Sequence, residues 1–137
     1  MKKAIVIFLM LIIGFFKEGK SQVMAAKPQW IVIKSSNLHC WDCRELLDKY
    51  LVGENDQNWQ NGMLKRSYNL IAGEIKIQFI PDRVSIDEIR TALNNAGFDA
   101  DSTKAEPSVY AKLPPSCKYI TEGGGPKKGQ PCHLQPM

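Results

Sequence analysis

Cys40 and Cys43 are the strongest candidates for a chemically active site, because they are two cysteines that only Trp41 and Asp42 separate. Two thiolates this close together can bind a soft metal ion, or can close into a redox-active disulfide. The pair stands between an extended apolar run and a stretch with helical periodicity. The choice between the two chemistries therefore depends on the elements that hold the pair.

The elements on either side of the pair are a strand and a helix. Trp30–Lys34 is dense in β-branched and aromatic residues, which predicts a first strand. Apolar residues then recur at helical spacing, at Cys43, Leu46, Leu47, Tyr50 and Leu51. The sequence thus predicts an amphipathic helix with Cys43 in its first turn, where free N–H groups and the helix dipole favour a thiolate.

A hairpin is predicted after this helix and a polar loop. Residues alternate in character through Met63–Leu70 and strictly through Glu74–Phe79, and Ala72-Gly73 supplies a turn between them. Two extended runs joined by a short glycine-containing turn are typical of a β-hairpin. Trp59 in the preceding loop could cover the core or project into solvent, and packing against the core is the favoured interpretation.

A second helix completes the pattern. Ser85 and Glu88 have the spacing of a capping box, and Gly97 lies where a C-terminal cap is expected. Phe98–Ala100 can supply a short last strand. The order of elements predicts an α+β, ferredoxin-like βαββαβ sandwich, with a four-stranded antiparallel sheet and both helices on one face. The cysteine loop would then lie at one edge of the domain, accessible to a partner.

The N-terminal residues predict export. Lys2 and Lys3 precede the apolar run 4–16, which is shorter than a bilayer span requires but suits a signal peptide. Residues 1–25 are interpreted as that peptide, with cleavage after Ala25 and an alternative after Ser21; an uncleaved membrane anchor is the competing interpretation. The protein is therefore expected to be exported, into the periplasm.

The charge of the remaining chain excludes one class of partner. Residues 1–26 carry four lysines and one glutamate, so the rest has 14 basic and 13 acidic residues. These charges alternate in sign and form no basic run. We therefore expect no nucleic-acid partner.

The stretch from Trp30 to Ser102 resembles the heavy-metal-associated domain family. The family motif, glycine-methionine-x-cysteine-x-x-cysteine after the first strand, matches here with Leu38 at the methionine position and Cys40 and Cys43 at the ligand positions. Further matches are Gly62-Met63, the hairpin spacing, and Ala96-Gly97-Phe98. The sequence departs from the pattern at Asn37, which replaces the motif glycine, at Leu38, and in a longer loop at 54–61.

This resemblance implies a domain at 29–103 that is not an enzyme. It would hold and transfer a soft metal ion, Cu(I) or Hg(II), with Zn(II) as a weaker candidate, through Cys40 and Cys43. Its partners would be a metal-transporting membrane protein or another thiol-bearing domain, and the protein is expected to be a monomer. Leu38 would be a core plug beneath the loop, and Phe98 an apolar cover or a core aromatic.

Auxiliary ligands are candidates both in the loop and in the tail. His39 could be a third ligand, but adjacent residues of an extended loop alternate in direction, so we expect its side chain to point away. Residues 104–137 are expected to form a flexible Pro/Gly-rich tail. Its Cys117, Cys132 and His133 admit three interpretations: a Cys117–Cys132 disulfide, a second metal site, or extra ligands for the loop.

The disulfide within the tail is the favoured interpretation for an exported chain. A four-cysteine zinc site is disfavoured, because Cys117 and Cys132 lack the close spacing that such sites usually show.

Two other functions compete with metal binding. One is a periplasmic thiol–disulfide oxidoreductase, since CxxC near a βαβ unit is also typical of thioredoxin-like redox motifs. The other is a binding module that keeps the fold without the metal.

Overall fold

The computed structural model describes residues 26–54 and 62–137, except for the side chains of residues 53 and 54. The predicted signal peptide and the loop that contains Trp59 lie outside the described residues. The strands are β1 (Gln29–Lys34), β2 (Met63–Asn69) and β3 (Glu74–Phe79), and the α-helices are α1 (Trp41–Lys49), α2 (Ile86–Asn95) and the short α3 (Pro107–Tyr110). A π-helical turn, Tyr50–Glu54, follows α1, and two 3₁₀ turns, Pro115–Cys117 and Ile120–Glu122, lie in the tail.

The central strand of the sheet is β3, which pairs antiparallel with β1 on one side and β2 on the other. Ile75 lies opposite Ile33 of β1 and Tyr68 of β2, so the predicted hairpin and the first strand are confirmed. Gly73 in the hairpin turn has φ +65°, and a β-carbon there would lie 2.7 Å from the carbonyl oxygen of Ser35. The turn therefore packs directly against the residues that lead into the cysteine loop.

The predicted fourth strand is reduced to a short extended segment beside β1. The Asp101 N–H donates to the carbonyl of Lys34 at 2.8 Å, and the Lys34 N–H donates to Asp101 Oδ1 at 3.0 Å. Ala100 then pairs only with Thr103, in an isolated bridge. Because the chain turns at Asp101, where φ is +55°, the sheet has three full strands among the described residues.

Both main helices pack on one face of the sheet. Leu47 of α1 and Leu93 of α2 are fully buried in one apolar cluster with the inward residues of the strands, Ile33, Ile75 and Ile77. The other face exposes Trp30 and Val32 of β1, about half of each side chain. The α+β, ferredoxin-like fold predicted from the sequence is confirmed.

The predicted start and end of α2 are also present. Ser85 and Glu88 form a reciprocal capping box, in which the Glu88 N–H donates to Ser85 Oγ at 3.2 Å and the Ser85 N–H donates to Glu88 Oε2 at 2.7 Å. Gly97 follows the helix with φ +93°. In the part of the chain that the structure describes, no helix has the length and apolarity to cross a bilayer.

Polar contacts fix α1 against β2. Asp48 accepts hydrogen bonds from Arg66 and, at 2.8 Å, from the Tyr68 hydroxyl. Burial alone would raise the pKa of Asp48, but these bonds outweigh it and lower the pKa. The pKa of Tyr68 is raised, first by burial and then by its bond to Asp48. These contacts hold the helix that carries the cysteine pair.

Candidate functional site: a cysteine loop closed by the tail

The cysteine loop connects β1 to α1, and its geometry follows from the start of the helix. Cys40 is the N-cap, with an extended backbone at φ −111° and ψ 155°, and Cys43 is the third residue of the helix. The prediction that Cys43 lies in the first turn is confirmed. Leu38, fully buried, fills the core beneath the loop, as its place in the motif predicted. Phe98 is also fully buried, as a core aromatic.

Both cysteines of the loop form disulfides with the tail. Cys40 is bonded to Cys132 and Cys43 to Cys117, with Cα–Cα distances of 4.6 and 5.4 Å. The predicted Cys117–Cys132 bridge is therefore wrong. The tail folds back across the loop, so that each tail cysteine meets a different loop cysteine, and spacing along the sequence does not reveal such a return.

Backbone contacts hold the tail against the loop as well. The Trp41 N–H, at the start of α1, donates to the carbonyl of Cys132 at 2.5 Å. The Asn37 side-chain amide donates to the carbonyl of Cys117 at 3.1 Å. The Cys132 segment thus meets an otherwise unpaired N–H group of the helix start. The tail is docked by hydrogen bonds at both of its cysteines.

Asn37 links three parts of the chain from a fully buried position. Its amide nitrogen also donates to the carbonyl of Gly97 at 3.0 Å, and its Oδ1 accepts from the Asp99 N–H at 3.1 Å and from Ser35 Oγ at 3.2 Å. Glycine, the residue of the resembled motif, could make none of these side-chain bonds. Asn37, where the sequence departs from the motif, therefore joins the cysteine loop to the tail.

A second polar centre lies at Asp99, which is almost completely buried. Its carboxylate accepts hydrogen bonds from Ser36, from Tyr119 at 2.7 Å, from Lys104 at 3.0 Å and from the Ala105 N–H at 2.9 Å. Burial alone would raise the pKa of Asp99, but these bonds outweigh it and lower the pKa.

The tail is folded rather than loose at the residues that meet the domain. The rings of Tyr110 and Tyr119 stack with their centroids 4.6 Å apart. Cys117 is fully buried, and Gly124 and Gly125 are buried as well. The Gly125 N–H donates to the carbonyl of Ser116 at 3.0 Å. The tail expected to be flexible is therefore packed at Gly124 and Gly125.

The two histidines are sequence neighbours of the Cys40–Cys132 disulfide, and each ring has other neighbours. His39 is half-buried, and its Nε2 lies 3.0 Å from the carbonyl oxygen of Ser36. The ring also lies close to Gly73 in the hairpin turn. His133 lines a cavity of about 500 Å³ beside α1 and β2, together with Trp41 and Arg44.

In their oxidised form the cysteines provide no metal ligands. The two disulfides use all four cysteine sulfurs of the sequence. Within residues 26–54 and 62–137 no group of three or more histidine, cysteine or acidic side chains is arranged to hold a metal ion. The disulfides must therefore open before these sulfurs can act as thiolates.

Arg44 lies between two aromatic rings close to the loop. Its guanidinium carbon is 4.7 Å from the ring centroid of Trp41 and 5.4 Å from that of Tyr68. These cation–π contacts orient Trp41, the first residue after Cys40. The signal of this contact in the sequence is the helical i, i+3 spacing of Trp41 and Arg44.

The fold and the loop define a ferredoxin-like α+β domain with a CxxC pair at the start of its first helix. No family model and no curated protein matches the chain. Among solved structures it is similar to a copper binding domain from HMA7, a P-type ATPase, with 24% identity and a TM-score of 0.44 over 53% of this chain and 89% of that one.

Two further structures are similar at lower identity. One is the CopZ metallochaperone, with 17% identity and a TM-score of 0.44 over 53% of this chain and 98% of that one. The other is a copper CopA structure from Bacillus subtilis, with 17% identity and a TM-score of 0.44 over 57% of this chain and 95% of that one.

Proposed function

We propose that the reduced protein binds one soft metal ion through Cys40 and Cys43 and passes it to a thiol-bearing partner. The observation that carries this proposal is the placement of both sulfurs in the first turn of α1. Free N–H groups and the helix dipole there favour thiolates, and two thiolates suit Cu(I) or Hg(II). Such a protein binds and exchanges an ion and catalyses no reaction.

The four sulfurs limit when this binding takes place. A sulfur in a disulfide has no thiolate charge to offer a metal, so the oxidised protein is the closed form of the site. Binding therefore requires a reductant, or a partner that opens the disulfides. The closed form suits an exported protein, because disulfides persist in oxidising compartments such as the periplasm.

Cys117 and Cys132 are the auxiliary ligands that this arrangement favours. Each is bonded to one of the loop cysteines, and hydrogen bonds from Asn37 and Trp41 hold its carbonyl in place independently of the disulfide. After reduction the tail thiols would remain beside the loop. Four thiolates suit tetrahedral Zn(II), so the tail would extend the range of ions. His39 and His133 are weaker candidates, because each ring has other neighbours.

The tail also bears on how an ion would leave the site. A metal-transporting membrane protein or another thiol-bearing domain would have to reach Cys40 and Cys43 past the docked tail. Transfer would proceed by ligand exchange, with the partner's thiolates replacing those of the loop one at a time. Cys132 would be displaced first, because it is half-buried whereas Cys117 is fully buried.

The test is an anaerobic titration of the reduced protein with Cu(I), Hg(II) and Zn(II) in competition with a chelator. Two variants that each lack two thiols are matched: Cys40→Ser/Cys43→Ser and Cys117→Ser/Cys132→Ser. We expect the loop variant to lose Cu(I) binding. We expect the tail variant to keep it with an affinity lower by about 10–100-fold, as is common when supporting groups around a metal are removed. Equal Cu(I) affinity in the loop variant and the wild type would refute the ligand assignment.

A second candidate function is thiol–disulfide exchange, and the disulfides of the loop favour it. The two disulfides that join the CxxC cysteines to the tail could accept electrons from a thiol donor, and the reduced cysteines could then pass these electrons to another protein's disulfide. Insulin reduction in the presence of a thiol donor distinguishes this function from metal binding. Activity that the Cys40→Ser/Cys43→Ser variant loses would favour the oxidoreductase.

A further inference from the structure

The two disulfides differ in how far they are protected from solvent. Cys43 and Cys117 are both 0% exposed, so their bond lies within the core. In the other bond Cys40 is 1% exposed but Cys132 is only half-buried. Cys40 and Cys132 also line a surface cleft of about 240 Å³, which the buried pair does not reach.

We infer that the Cys40–Cys132 disulfide is a reactive site for an external thiol, and that its opening then opens the buried disulfide from within. The inference deepens the proposed function, since it names how the metal loop would be exposed. It stands on the positions of the sulfurs, however, and needs no metal ion.

The cleft suits an approaching thiolate. Besides the two cysteines, its walls include Ser116, Gln130 and Lys127. Its lining contains no carboxylate, and Lys127 contributes a positive charge. A negatively charged sulfur within the cleft would therefore meet no like charge from the residues that line it. Cys132 is the sulfur it reaches, because the surface of Cys40 is almost wholly covered.

The first step exchanges one sulfur–sulfur bond for another. The external thiolate attacks Cys132 Sγ, a mixed disulfide forms, the Cys40–Cys132 bond breaks, and Cys40 leaves as a thiolate with the bonding electron pair. A second external thiolate then displaces Cys132 from the mixed disulfide. The external thiol is oxidised to its disulfide and Cys132 is released as a thiolate.

The second bond opens by internal exchange. Cys40 is the N-cap of α1 and Cys43 is its third residue, so the released sulfur lies within one helical turn of the buried disulfide. Attack of the Cys40 thiolate on Cys43 Sγ forms a Cys40–Cys43 disulfide and expels Cys117 as a thiolate. The tail is then free of covalent bonds to the loop, and a dithiol can reduce the CxxC disulfide.

The first test compares two variants that each keep one disulfide. Cys43→Ser/Cys117→Ser keeps the bond at the cleft, and Cys40→Ser/Cys132→Ser keeps the buried bond. We expect glutathione to reduce the first variant at least about tenfold faster, because the buried bond must wait for local opening. Circular dichroism checks the fold of both. Equal rates, or faster reduction of the buried bond, would overturn the inference.

The internal step has its own test, without any reductant. In Cys132→Ser the Cys40 thiol is free from the start, so exchange should form Cys40–Cys43 and release Cys117. Alkylation and peptide mapping should then find label on Cys117. Label on Cys40 alone would show that the internal exchange does not occur.

The wild-type protein provides a test that needs no variant to fold. Brief treatment with glutathione, acid quenching and mass mapping should place the first glutathione adduct on Cys132. A first adduct on Cys43 or Cys117 would contradict the inference. Because these experiments contain no metal, they can fail while metal binding succeeds, and the reverse also holds.

Discussion

Asn37→Ala is the substitution whose effect on stability the structure predicts most sharply. The side chain is fully buried and makes four hydrogen bonds, two through its nitrogen and two through its oxygen. Alanine fits the space but removes all four bonds. The carbonyls of Gly97 and Cys117 and the N–H of Asp99 then lose this partner inside the protein.

The expected loss of stability follows from these groups. A buried polar group left without its partner costs about 1–3 kcal/mol, and some relaxation or water entry will recover part of that. We therefore expect Asn37→Ala to lower the free energy of unfolding by about 2–4 kcal/mol. For a domain of this size, that corresponds to a fall in Tm of about 10–20 °C.

Urea and thermal unfolding of the oxidised protein measure this effect, with both disulfides verified by mass. Asn95→Ala is the matched control, since Asn95 is an exposed residue at the end of α2. The control should change stability by no more than about 0.5 kcal/mol. If Asn37→Ala destabilises the protein by less than about 1 kcal/mol, Asn37 does not join the loop to the tail as described.

Three further predictions concern the contacts around the site. Because the folded pKa of Asp99 lies below its ordinary value of 3.8, its contribution to stability is present above that value and is lost as the pH falls through the folded pKa. Thermal unfolding between pH 7 and about pH 2 should therefore show a smaller acid loss in Asp99→Asn, and parallel curves would refute this. Tyr68→Phe should destabilise the protein by about 1 kcal/mol in urea through its lost bond to Asp48, and no change would contradict that bond. Ser85→Ala should cost about 1 kcal/mol through the capping box of α2; a loss that Glu88→Ala does not share in part would argue against the reciprocal cap.

The fold could be predicted from the sequence because its strands and helices follow from patterns among neighbouring residues. Strict alternation in Glu74–Phe79 and the capping box at Ser85 each depend on neighbouring residues, and both elements formed where expected. The last strand predicted at Phe98–Ala100 does not form in full, because the chain turns at Asp101 after its contact with Lys34. The end of a strand depends on where the next segment goes, which alternation does not encode.

The sequence predicted the cysteine loop of the site but not its pairing with the tail. The positions of Cys40, Cys43 and Leu38 follow from the motif and the helix start. The cross-pairing with Cys132 and Cys117 depends on a chain reversal over separations of 92 and 74 residues. The one signal of this pairing in the sequence is Asn37, an amide side chain where the resembled motif has glycine. Its role follows only from the structure, in which its amide donates to the carbonyl of Cys117 in the tail.

The metal content of the oxidised and reduced protein tests the central claim most directly. The measurement is an anaerobic Cu(I) titration of both forms, with thiol alkylation and intact mass used to verify the disulfides before and after. The oxidised form should bind no Cu(I), and the reduced form should bind one equivalent that is lost in Cys40→Ser/Cys43→Ser. One equivalent bound to the oxidised form with both disulfides still intact would contradict the claim.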